Sequence, residues 1–137
     1  MKAALIKICL VTSLLLPAIM AYAATSTNSG SSSLLGNYQC KRTDASGKTT
    51  EYPLAVNKNG DAYTFEWDND SGYPAIFGTG VMHPTVTNVA SVSFADPKNI
   101  STFGVELFSI QSDGSLQGSW ALNTSNQLGS ETCTKGK

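Results

Sequence analysis

The residues that could do chemistry are one histidine, a pair of cysteines and a scatter of carboxylates. His83 is the single histidine, and no serine or cysteine stands in a nucleophile motif that would complete a Ser-His-Asp relay with it. His83-Pro84 is read as the end of a strand, not as a base or haem ligand. Glu66, Asp68 and Asp70 resemble half a calcium loop but lack the glycine and distal glutamate of the full pattern, and are read as a solvated loop. Two carboxylates across a cleft would suit glycoside hydrolysis, yet Glu66 and Glu106 alternate with apolar neighbours in a phase that points both outward. Glu131 is given a structural role, paired with Lys41 or Arg42 on an adjacent strand. With no nucleophile, base or metal set, the reading is a protein that is not an enzyme and uses no cofactor or metal.

The cysteines carry more information. Residues 1–23 place Lys2 and Lys7 ahead of an apolar run that ends in Ala21, Tyr22 and Ala23, the three-part pattern of a cleaved secretory signal. Pro17 interrupts an apolar stretch shorter than the roughly 20 residues of a spanning helix, so no stable membrane anchor is expected. Cys9 comes too early to be a lipoprotein cysteine and leaves with the signal. Cys40 and Cys133 remain, an even count in an oxidising compartment, and are expected to pair. A periplasmic or secreted location follows. Two cysteines this far apart do not make a metal site.

Without Lys2 and Lys7, seven basic residues of the nine stand against ten acidic ones. Nothing in that balance neutralises phosphates, so nucleic acid is excluded as a partner. Residues 24–33, ATSTNSGSSS, form a polar flexible leader, and residues 34–137 are long enough for one modest core.

Stepping from these groups to the elements that hold them, no segment after Leu34 shows a helical period, while short alternating runs recur every ten to fifteen residues. Eight strands are predicted over 36–42, 52–58, about 62–67, 75–83, 89–95, 102–110, 115–123 and 128–135, with Asn59-Gly60 a hairpin turn. Tyr63, Phe65 and Trp67 share one face of the third, and Ala90, Val92 and Phe94 the inner face of the fifth. In DGSLQGSW, Gly118 lies on the same face as Leu116 and Trp120, a costly place for glycine unless the strand bends or a neighbour needs the room. Gly78 and Gly80 are given the same task on the fourth strand. The fold class is all-β: an eight-stranded antiparallel up-and-down barrel whose first and last strands are joined by the Cys40–Cys133 disulfide. Trp67 and Trp120 are expected to help fill its interior, and Tyr73 to sit on a loop where an aromatic can anchor a partner.

The pieces GNY, GTGV, DGSLQGSW and LGSETC resemble a pattern in small secreted bacterial barrels of calycin-like or avidin-like architecture, some described as fibronectin-binding-like. That resemblance implies the barrel more than any activity. Tyr38-Gln39-Cys40 is also similar to the opening of the periplasmic inhibitors of c-type lysozyme, and Ser71-Gly72-Tyr73 to their serine-glycine loop. Their following basic residue and lysine-glycine segment are unmatched here. The function expected is a non-enzymatic binding module that recognises a host or envelope protein surface, or a small apolar ligand, through Trp67, Tyr73 or Trp120. The alternative is an inhibitor of a secreted or periplasmic hydrolase such as a c-type lysozyme.

Overall fold

Alternating side chains with one apolar face need a second layer to cover that face, and a sheet that curls until its edges meet supplies its own. The computed structural model describes residues 33–137; the signal peptide and all but the last residue of the leader read from the sequence lie outside the described residues. Eight strands follow in order: β1 (Gly36–Thr43), β2 (Thr49–Asn59), β3 (Ala62–Asp68), β4 (Pro74–Met82), β5 (Val89–Asp96), β6 (Asn99–Ile110), β7 (Leu116–Leu122) and β8 (Leu128–Lys135). Each pairs antiparallel with its sequence neighbours, and β8 returns to β1 to close the barrel. The predicted strands hold, with β2 longer at both ends and β6 starting at Asn99, three residues early. The turn expected over Asp96–Ser101 is tighter than its Pro and Asn suggested, because Asp96 pairs directly with Asn99 across a register shift.

Closure brings the cysteines face to face. Cys40 is the register partner of Cys133, the two are disulfide-bonded, and both are fully buried. Gly60 takes φ 62° in the β2–β3 hairpin, a left-handed conformation that favours glycine.

The two ends of the barrel differ. At the end that carries the β2–β3, β4–β5 and β6–β7 turns, Leu34 folds inward as a plug. The Tyr38 hydroxyl donates to the Leu34 carbonyl at 2.8 Å, and Lys135 Nζ donates to the Ser33 carbonyl at 2.6 Å. Burial pushes the Tyr38 phenol upward. Above the plug, Phe65 stacks between Trp67 and Phe108 with ring centroids 5.8 and 5.9 Å away. That half of the barrel is filled, as the bulky aromatics implied.

Gly118 now has its reason. A Cβ there would collide with the Phe108 ring at 2.8 Å and with the Glu106 carboxylate. The room it leaves serves β6, its pairing partner. Trp120 gets its space from Gly129 on β8, where a Cβ would overlap the indole and approach the Thr43 carbonyl at 2.7 Å. Gly78 and Gly80 play the expected part, since side chains there would run into Val92 and, at Gly80, Phe65.

One expectation fails. Glu106 faces the interior and is 3% exposed. Phe103, Val105 and Leu107 take the outward phase of β6, because Gly104, Glu106 and Phe108 pair with the inward Phe94, Val92 and Ala90 of β5. The outward face of this strand is greasier than the inward one.

Candidate functional site

Three charged residues are buried on inward phases, Arg42, Glu106 and Glu131. Arg42 lies two positions beyond Cys40 on β1 and Glu131 two before Cys133 on β8, so period two carries both into the lumen behind the disulfide. Glu106 reaches them from β6. Arg42 Nη1 donates to Glu106 Oε2 at 2.7 Å and also to Glu131 Oε2, and Trp67 Nε1 donates to Glu131 Oε1 at 2.7 Å. Of the two bases offered to Glu131 by the sequence, Arg42 is the partner. Lys41 points out and pairs with Glu51 instead.

The guanidinium also lies against aromatic rings, its Cζ 4.5 Å from the Phe94 centroid and 4.4 Å from that of Trp120. Desolvated contacts of this kind are worth up to about 2 kcal/mol. Burial, with the Glu131 carboxylate close by, raises the Glu106 carboxyl to about 9 against the opposing pull of Arg42. That shift favours the protonated, neutral form of the Glu106 carboxyl in the lumen.

Above this layer the barrel is open. A cavity of about 300 Å³ occupies the end bearing the β1–β2, β3–β4 and β5–β6 turns, with Arg42, Phe94 and Trp120 at its base and Tyr52, Ile76 and Leu122 on its walls. Asp44 sits on its rim and organises the β1–β2 turn, accepting from the Ser46 hydroxyl at 2.6 Å and the Lys48 amide at 3.0 Å. Those bonds hold the Asp44 carboxyl below the usual carboxylate range. Arg42 Nη2 is buried and meets no acceptor among the described residues.

The residues singled out from sequence separate. Trp120 lines the cavity, Trp67 is fully buried beneath it as a donor to Glu131, and Tyr73 is 67% exposed on the β3–β4 loop at the same end. Phe94, one of the aromatics that suited either a core or an apolar cavity, lies at its base; Arg42 and Tyr52 were missed as cavity residues, and Arg42 could have been found by counting two from Cys40. His83 is exposed, and its Nδ1 accepts the amides of Thr85 and Val86 at 3.2 and 3.0 Å, which makes it a turn cap. The one close trio of metal-type side chains among the described residues is Cys40, Glu131 and Cys133, whose two sulfurs are bonded to each other.

Gly129→Ala should unseat Trp120. We expect loss of the near-ultraviolet circular dichroism contributed by that indole while the far-ultraviolet strand signal persists; an unchanged near-ultraviolet spectrum would contradict the tight fit between them.

The chain matches no protein-family model and no curated protein. Solved structures share its fold, among them two redesigned β-barrels. One is a redesigned β-barrel, mFAP1, bound to DFHBI, at 11% identity and a TM-score of 0.58, over 74% of this chain and 94% of that one. The other is a redesigned β-barrel, b11L5F_LGL, at 14% identity and 0.58, over 77% and 96%. The likeness is to small β-barrels as an architecture, and the bacterial fibronectin-binding-like proteins are not among these two neighbours.

Proposed function

We propose that the protein is a non-enzymatic binding barrel of the periplasm or cell exterior. It takes a small, largely apolar molecule in the cavity at its open end. The observation that carries this reading is a concave site at the open end, with the Phe94 and Trp120 rings at its base, Tyr52, Ile76 and Leu122 on its walls and polar Asp44, Lys48 and Asp96 around it. At about 300 Å³ the site is at the small end of ligand cavities.

Supporting observations come from elsewhere in the chain. The disulfide is compatible with an oxidising compartment, and His83 is committed to its turn. One of the barrel neighbours is a structure with DFHBI bound. Recognition of a protein at the same end draws on the exposure of Tyr73, and an anchor there would make Tyr73→Ala lose a captured partner without losing a cavity ligand.

The test uses Nile red, a neutral apolar dye with a carbonyl acceptor. Ala75→Trp, which fills the cavity wall, should weaken binding by tenfold or more, and a charge on the outer wall, Val105→Glu, should leave it within about twofold. Dye binding that ignores Ala75→Trp and disappears in Val105→Glu would place the dye outside the cavity and remove the main support for the reading.

A further inference from the structure

The outer wall of the barrel is divided. On β1 to β3 the outward positions include Lys41, Glu51, Glu66 and Asp68, an ordinary charged surface. On β4 to β8 the outward positions of the strands carry no charge at all. Six large side chains there, Phe77, Val81, Phe103, Val105, Leu107 and Leu128, are each 45–69% exposed.

These residues are contiguous. Val105 is level with Ser93 on one side and Ala121 on the other, and Ala121 is level with Leu128; Leu107 lies between Ser91 and Ser119. Large and small residues thus alternate across the strands, which makes a ridge at Val105 and Leu107 beside a depression of about 570 Å³ floored by hydroxyl and alanine positions.

We infer that this uncharged face is where a second copy of the chain docks, wall against wall, to form a two-fold dimer. Three observations choose that occupant. A two-fold interface sets the same patch against itself, so any charge near the axis would meet its own like; this is the one stretch of wall where none would. The described chain is acidic overall, and two copies approach with least repulsion through it. Ridge and depression lie side by side on one surface, so a ridge of one copy can enter the depression of the other.

The area is also sufficient. Phe77 and Phe103 are aromatic side chains of the roughly 150–250 Å² class, and with the four smaller aliphatic ones the six, about half exposed, give on the order of 500 Å². The hydroxyl residues between them bring the face near the roughly 800 Å² that each partner contributes to a standard interface. Single monomers seldom leave an apolar patch of this size uncovered. An anionic bilayer would look for basic residues, which the face lacks.

Sedimentation equilibrium of the disulfide-intact protein from 1 to 100 µM tests this. The expected result is a dimer mass for the wild type, and at least a tenfold rise in dimer dissociation constant for Val105→Glu. Asn57→Glu, on the β2 outer face, should leave it unchanged. Should Val105→Glu fail to fold, Ser93→Arg, in the adjoining depression, carries the same expectation. A wild type that is monomeric at 100 µM overturns the inference, whether or not it binds vesicles of neutral or anionic lipid; so does a dimer that survives both substitutions.

Discussion

Replacing Cys40 and Cys133 together by alanine is expected to lower the unfolding free energy by about 4 to 5 kcal/mol. The bridge spans 93 residues of sequence, and in the chain-entropy account a loop of that length restricts the unfolded chain by about that amount. For a domain of this size it is a large share of a total of about 5–15 kcal/mol. The native barrel keeps the six register partners between β1 and β8, so the loss should fall mainly on the unfolded state, and the variant should still close when folded. Urea unfolding of the oxidised protein, the reduced protein and the double variant checks this. The last two should agree, both well below the first. A loss under about 1 kcal/mol would mean that backbone pairing alone holds the seam.

The same seam shows what could be read from the chain. Two cysteines, one in the first and one in the last of eight alternating runs, point to a closed ring because a bond between them sets the first and last strands side by side. The inner side was harder. In TFGVELFSI the phase containing Phe103, Val105 and Leu107 is the more apolar, so binary pattern alone turns β6 inside out. Position relative to the sheet decides otherwise: position 104 pairs with the inward Phe94 and only a glycine, with no Cβ to strike that ring, fits there, and Glu106 follows it by period. The cavity was illegible for a related reason. Phe94 and Trp120 suited either a core or an apolar cavity and Tyr52 the greasy face of its strand, and only the closed geometry shows that the core ends below them. Arg42 and Glu131 each carried a signal, a charge two residues from a buried cysteine, but its meaning depended on the third charge arriving from β6.

Arg42→Met should destabilise the barrel by about 3 to 5 kcal/mol, the cost of breaking a buried ion group by removing one partner. Met restores much of the volume between Phe94 and Trp120, so packing is not the main loss. What remains is two carboxyls in the lumen with Trp67 Nε1 as the donor to Glu131. If charge is the cause, Arg42→Met combined with Glu106→Gln and Glu131→Gln should recover more than half of the loss; if the triple variant is as unstable as the single one, shape is the cause.

The pH profile of stability tests the protonation of Glu106. Glu106 is raised from 4.5 to about 9 in the folded protein. Below about pH 4.5 it is protonated in both states and adds no pH dependence. As the pH climbs, the unfolded chain releases this proton while the folded one keeps it, so the unfolded state binds fewer protons and stability declines by at most about 1.4 kcal/mol per pH unit. The decline ends as the folded group itself ionises near pH 9. Glu106→Gln should therefore match the wild type near pH 5, surpass it progressively toward pH 9, and show a flatter urea midpoint across that window. Parallel profiles for the two proteins would show that Glu106 is already ionised in the lumen, and the neutral-acid account of this layer would fall.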